Sequence, residues 1–293
     1  MPVHIEISSP IAATSLDMSR DNLLRDCSVE TTPRDSSVPE ELPRGARVFV
    51  ASVPGVTTEQ LVARAVQLAK AGFRPVPHIV ARGLASVEQL DDRLRRLRGE
   101  ANAEFALVLG GDTPDVVGPF PSARSILETG LFARHGFSAI GLATYAEDHP
   151  RIARDVLDAE QDLKLAVAAS QNLPAFLVSQ FGFEPEIFVS HVMRLRARGI
   201  DVPVSLGVAG PASWKSLAQF ALLCGVRNST RFLTSQGRKI GQLLSGYEPA
   251  DIIDGIARSL PPDAGQVGLH FFAFGGLRKT AAWVESFRQP TSK

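Results

Sequence analysis

Cysteine is scarce. Only Cys27 and Cys224 occur in 293 residues, too few for a disulfide scaffold or a cysteine-rich metal site. There is no charge of one sign to spare: 31 Lys and Arg balance 31 Asp and Glu. That balance excludes the basic surplus of a nucleic-acid binder. No run approaches the ~18 uninterrupted apolar residues of a membrane span. The start, MPVHIEISSP, has neither the basic opening nor the apolar stretch of a signal peptide, and with so few cysteines a reducing cytoplasm is the expected compartment. A Walker A loop, a GxGxxG turn after a strand, HExxH and a GxSxG elbow are all missing, and no His/Cys cluster has metal-ligand spacing, so no metal is expected.

What is there is an alternation. Eight short apolar runs, at 27–31, 47–52, 75–80, 105–109, 138–143, 175–179, 202–207 and 268–274, are separated by longer amphipathic segments. Runs that are apolar throughout suit strands covered on both faces of a parallel sheet. Helices are expected over 57–72 with Thr58 as N-cap, 86–97 with Ser86 as N-cap, 122–136, 149–169, 184–199 and 213–225. Pro185 just inside its helix and Gly199 just beyond it are start and stop signals. Two more helices, TRFLTSQGRKIGQLLSG and PADIIDGIARSL, precede the last strand, and LRKTAAWVESF follows it. This α/β pattern predicts a (β/α)8 TIM barrel, a single domain over 27–288 with extra helices after strand seven. Residues 1–26 form an N-terminal extension, with a helical turn capped by Ser15 or Asp17. Only about 15 residues separate the first two strands, too few for an ordinary crossover helix. A doubly wound open sheet of the same strand count is the alternative.

In a barrel, chemistry gathers at the C-terminal ends of the strands. Reading those ends in order gives Glu30, His78, Asp112 after two glycines, Tyr145 and His149, Gln180 with Phe181 and Phe183, and Arg278. Two separated carboxylates suit acid–base or cation-stabilising work. Each residue also has a plainer reading. Glu30 would pair with Arg34 or Arg47, Asp112 would serve the GGDTP turn, and His78 would be a satisfied core histidine. His149 would start a helix, Phe220 and Trp214 would be core, and Arg278 would sit on a solvated helix start.

Five segments together resemble the methylenetetrahydrofolate reductase family. SVETTPR resembles its opening strand, LVLGGDTP its strand ending in RGD, and ATYAEDHP its AYPEVHP segment. SQFGFEPEIF resembles its TQFFFD segment, and the eighth strand with Arg278 its HFYTLNR end. Their order and spacing match over about residues 27–287. Gly110 and Val53 depart from the pattern, which has arginine and threonine there.

The resemblance implies a flavin-dependent barrel that reduces 5,10-methylenetetrahydrofolate to 5-methyltetrahydrofolate, with NAD(P)H reducing FAD. In that reading Glu30 is the acid that opens the methylene bridge, and Asp112 stabilises the resulting cation. An acid there needs a raised pKa. Gln180 bonds the pterin, Phe220 stacks on the aminobenzoate ring, and Arg278 meets folate or nicotinamide. His78, Gly111, Asp112, Tyr145, His149, Asp158 and, as the nearest lysine, Lys164 fall on FAD-contact positions. The partners implied are a folate and a nicotinamide nucleotide, with a homo-oligomer possible. Direct hydride transfer from NAD(P)H without flavin, and a folate-binding barrel without catalysis, are the alternatives.

Overall fold

The computed structural model describes residues 20–223 and 246–288. The capping residues Ser15 and Asp17, Cys224, the helix expected over 230–246 apart from its last residue, and the tail QPTSK lie outside that set.

Eight parallel strands close into a barrel: β1 (Ser28–Thr31), β2 (Arg47–Val50), β3 (Arg74–Val80), β4 (Phe105–Leu109), β5 (Ala139–Thr144), β6 (Ala175–Gly182), β7 (Val204–Ala209) and β8 (Val267–Phe272). Ser28 pairs with His270 and Glu30 with Phe272, so β1 meets β8 and the open-sheet alternative is excluded. The helices are α1 (Arg20–Arg25), α2 (Thr58–Lys70), α3 (Val87–Ala101), α4 (Ala123–Leu127), α5 (Leu131–Arg134), α6 (Arg154–Ser170), α7 (Pro185–Ala197), α8 (Trp214–Leu223), α9 (Ala250–Ser259) and α10 (Leu277–Arg288). Among the described residues, no helix is long and apolar enough to cross a membrane.

Period-two alternation sorts each strand into two faces. Val29, Val48, Val50, Ile79, Val108, Leu206 and Leu269 face the helices and join one large apolar cluster. Phe49, Val76, Leu107, Phe176 and Val178 face inward and fill the barrel. At its lower end Arg74 lies over the Phe105 ring and Arg47 over Phe176, at 4.7 and 5.4 Å. Those cation–π contacts keep two charges at the floor at little cost. Helix α2 buries Leu61, Val62, Ala65 and Leu68, each large side chain contributing about 1.5–3 kcal/mol.

Local chemistry explains where the helices start and stop. Thr57, not Thr58, caps α2, in a reciprocal box with Gln60. Ser86 caps α3, and Pro185 opens α7. The helix expected over 122–136 is two short ones, because Thr129 Oγ1 binds Ile126 O and accepts from Leu131 N. That side chain competes with the helical ladder.

No helix joins β1 to β2. Instead the 32–46 loop is stapled by buried Arg64 of α2, which donates to Thr31 Oγ1 at 3.2 Å and Ser37 O at 2.6 Å. Its other terminal nitrogen donates to Gln67 Oε1, and Gln67 in turn donates to Ser36 O. The loop thus satisfies its carbonyls through side chains of the next helix. At the opposite end α1 buries Leu23 and Leu24, and Arg288 donates to Leu24 O.

Candidate functional site

Strand β6 runs three residues further than its apolar run suggests, and its pairing with β7 shifts between Val178 and Phe181. The irregularity is satisfied by Ser179, whose Oγ accepts from Gly207 N at 2.8 Å and donates to Gln180 O. A Cβ on Gly207 would meet Ser179 O at 2.6 Å and Gln180 O at 2.7 Å. This close approach, open only to glycine, sets Gln180 at the upper end of the barrel. There Gln180 lines a cleft with Ala146, Glu147, Gly182, Glu184 and Phe188.

Inward-facing residues at this level are polar and aromatic. Glu30 Oε2 lies 3.3 Å from His78 Nε2 and 3.5 Å from His270 Nε2. His270 is fully buried, and the Glu30 side chain keeps 18% of its surface exposed. Ser28 Oγ is 2.9 Å from His270 Nδ1. Phe49 forms the floor, with its ring 4.4 Å from that of His270 and 6.2 Å from that of His78. Burial pushes the Glu30 carboxyl up, but the pull of His78 and the long contacts from both histidines outweigh it and hold the pKa at about 2. Burial pushes His270 down against the pull of Glu30.

This corrects the expectation of a raised Glu30 pKa. In the free protein Glu30 is a carboxylate, because two imidazoles face one of its oxygens. Both Nε2 atoms face that oxygen without an aligned hydrogen bond, and Ser28 Oγ shares a hydrogen bond with His270 Nδ1. Ser28 and His270 do not stand out in sequence. The signal is their alternation, two residues before Glu30 in SVE and two before Phe272 in HFF.

An aromatic wall continues from His270. Phe272 lies 4.9 Å from it, Phe274 is nearly parallel to Phe272 at 5.6 Å, and Phe220 stacks on Phe274 at 4.3 Å and 18°. Phe181 packs edge-on against Phe274 at 4.9 Å. Phe220 thus joins this wall, with Phe274 as its ring partner.

Asp112 is exposed on the loop after β4, which Arg82 holds by donating to Pro121 O and Thr113 O. Gly111 takes φ +105°, and a Cβ there would meet Val80 Cγ1 at 2.8 Å. Tyr145 and His149 sit edge to face at 5.3 Å, and both feel Asp112. The Tyr145 phenol is raised by burial and by Asp112. His149 is lowered by burial and Arg151, against the pull of Asp112.

Asp158, Lys164 and Arg278 each stand beside another charged side chain. Asp158 is ion-paired with Arg198 at 2.9 Å, between α6 and the end of α7. Lys164 lies beside Glu160, which pairs with Arg124 of α4, and burial lowers its amine. Arg278 is exposed and lies 3.8 Å from Glu41 of the β1–β2 loop.

A family model for methylenetetrahydrofolate reductase matches residues 126–236, which span α4 to β7, the aromatic helix α8 and the segment beyond it. Over those residues the chain is similar to that family. It is 29% identical over 161 residues to the 5,10-methylenetetrahydrofolate reductase of Pectobacterium carotovorum subsp. carotovorum, covering 54% of this chain and 51% of that protein. The chain thus spans about half the length of the curated relative it matches. Two solved structures are also similar. One is an uncharacterized protein from Clostridium thermocellum that binds two copies of 5-methyl-5,6,7,8-tetrahydrofolic acid, at 9% identity over 92% of this chain and 98% of that one, with a TM-score of 0.48. The other is dihydropteroate synthase from Thermus thermophilus, at 16% identity over 89% and 91%, with a TM-score of 0.44.

Proposed function

We propose that this chain is a divergent member of the methylenetetrahydrofolate reductase family and reduces 5,10-methylenetetrahydrofolate to 5-methyltetrahydrofolate with hydride that originates on NAD(P)H. The observation that carries the reading is the Glu30 carboxylate, ionised between two histidines and beside a wall of aromatic rings. The substrate's methylene carbon bridges two nitrogens. Opening the bridge places a proton on the departing nitrogen and leaves an iminium cation that accepts hydride. A fixed carboxylate in a low-dielectric, aromatic setting stabilises that cation. That proton is supplied by solvent reaching the Glu30 side chain, which keeps 18% of its surface exposed. Gln180 bonds the pterin, and the Phe272, Phe274 and Phe220 rings stack against the flat parts of the folate. Asp112, from the opposite loop, adds negative charge at the rim. Arg278, in its exposed place beside Glu41, would meet the outer, anionic part of a ligand.

FAD would carry hydride from nicotinamide to folate in this chemistry. The residues present do not complete a site for it. His78, Gly111, Asp112, Tyr145 and His149 are at the strand ends, but His78 is turned to Glu30. Asp158 is committed to Arg198, and Lys164 lies beside Glu160. Those commitments favour the second reading, direct transfer from the nicotinamide to the folate, where proximity in one slot does most of the work.

The test is NAD(P)H oxidation by purified protein with 5,10-methylenetetrahydrofolate, alongside its visible spectrum. Turnover by protein without flavin absorbance supports direct transfer. Turnover that requires added FAD selects the flavin route. Calorimetric folate binding with no oxidation under either condition would leave a binding barrel and remove the reductase reading.

A further inference from the structure

The loop that carries Tyr145 and His149 is backed by three arginines placed at some cost. Arg154 is the first residue of α6, where the helix dipole disfavours a cation. Arg194 and Arg198 add two more positive charges nearby, and all three depress His191. Arg194 Nε is buried without a hydrogen-bond partner among the described residues. A sequence that breaks local rules in this way does so for something else it holds.

What the guanidiniums hold is backbone. Tyr145 is the first residue after β5, so its carbonyl has left the strand. Arg154 donates to that carbonyl at 2.7 Å and to Glu147 O at 2.7 Å, and pairs with Asp148 at 2.9 Å. Arg194 reaches the same Tyr145 oxygen from α7 at 3.3 Å, and also donates to His191 Nδ1 at 2.8 Å. Because His191 Nδ1 accepts, its proton is on Nε2, which donates to Thr144 Oγ1 at 3.1 Å. The circuit leaves β5 at Thr144, passes through α7, and returns to the next residue's carbonyl.

We infer that Arg154 and Arg194 are positioning residues, which set the Tyr145–His149 segment at the barrel mouth by sharing the Tyr145 carbonyl. Neither side chain touches the reacting atoms. What the positioned segment binds rests on the proposed function above; the hold itself does not. Arg154 fixes the loop from the helix it leads into. Arg194 ties it to α7, whose first turn lines the cleft with Gln180. Two anchors on different helices stop the loop from tilting about either one.

The experiment compares wild type with Arg194→Met, Arg154→Met and Arg194→Lys. Hydrogen exchange of the peptide covering 143–153 is measured on the free protein. The methionine variants are expected to speed exchange there about tenfold, the scale of one lost hydrogen bond to a charged group. Peptides of β1 to β3 should be unchanged, and Arg194→Lys should recover part of the protection. In turnover, KM for the nicotinamide or the folate should rise by about the same factor while kcat changes far less. Unchanged exchange at 143–153 overturns the inference, as does a rise spread equally over the barrel. Wild-type protein with no folate turnover would remove the proposed function and leave exchange to decide the positioning role.

Discussion

The Glu30 carboxylate and the His270 imidazole meet inside the barrel, Oε2 to Nε2, at 3.5 Å, and Ser28 closes the far side of the ring at 2.9 Å. Replacing Glu30 by Gln keeps the shape and removes the charge. We expect kcat for folate reduction to fall by about 10²–10³, the scale of losing a preorganised electrostatic group, with the fold intact by circular dichroism. His270→Gln removes one of the two imidazoles facing Glu30. The acid limb of the pH–rate profile should then move to higher pH, because one influence that lowers the carboxyl is gone.

His191 makes stability pH-dependent in mild acid. Burial and the neighbouring arginines lower its pKa from 6.5 to about 3. Between those values the unfolded chain takes up a proton that the folded chain refuses, so stability falls as pH falls. The full loss is on the order of 5 kcal/mol. His270, also lowered by burial, adds to it. Glu30, lowered from 4.5, destabilises only below that pH. Urea midpoints should therefore drop from pH 7 to pH 5. In His191→Gln the drop should be shallower; an equally steep drop would assign the slope to other groups.

Arg64→Met should destabilise the protein by about 3–5 kcal/mol, because carbonyls and hydroxyls buried around the guanidinium lose their donor. The loosening should be local first. Limited proteolysis should cut within 32–46, the loop that Ser37 O and Gln67 tie down, before it cuts any strand.

Gly207→Ala places a methyl group against the Ser179 and Gln180 carbonyls at 2.6 and 2.7 Å. Backbone cannot yield as a flexible side chain would, so we expect about 1–3 kcal/mol of destabilisation. Gln180 moves with the strand. Weaker folate binding at full occupancy of the folded state, measured by calorimetry, would check the link between this close approach and the site.

Much of the architecture was legible along the chain. Each of the eight apolar runs is a strand, because a strand covered on both faces must be apolar throughout. Ser86 and Pro185 mark helix starts because end groups need local partners. Thr57 in place of Thr58, and the break at Thr129, are one-residue decisions between competing side-chain hydrogen bonds. The Glu30, His78, Asp112, Tyr145, His149 and Gln180 positions were readable as strand ends.

Sequence by itself determined the barrel class and the rim on which those residues sit, because both follow from periodicity and from residues near in the chain. Tertiary structure alone decided the charge on Glu30, since His78 and His270 come from strands 48 and 240 residues away and reach it only when β8 closes on β1. It also decided that Asp158 pairs with Arg198 and that Arg194 reaches the Tyr145 carbonyl. Ionisation and hydrogen bonding depend on what stands within a few ångströms, and distance in space is not written as distance along the chain.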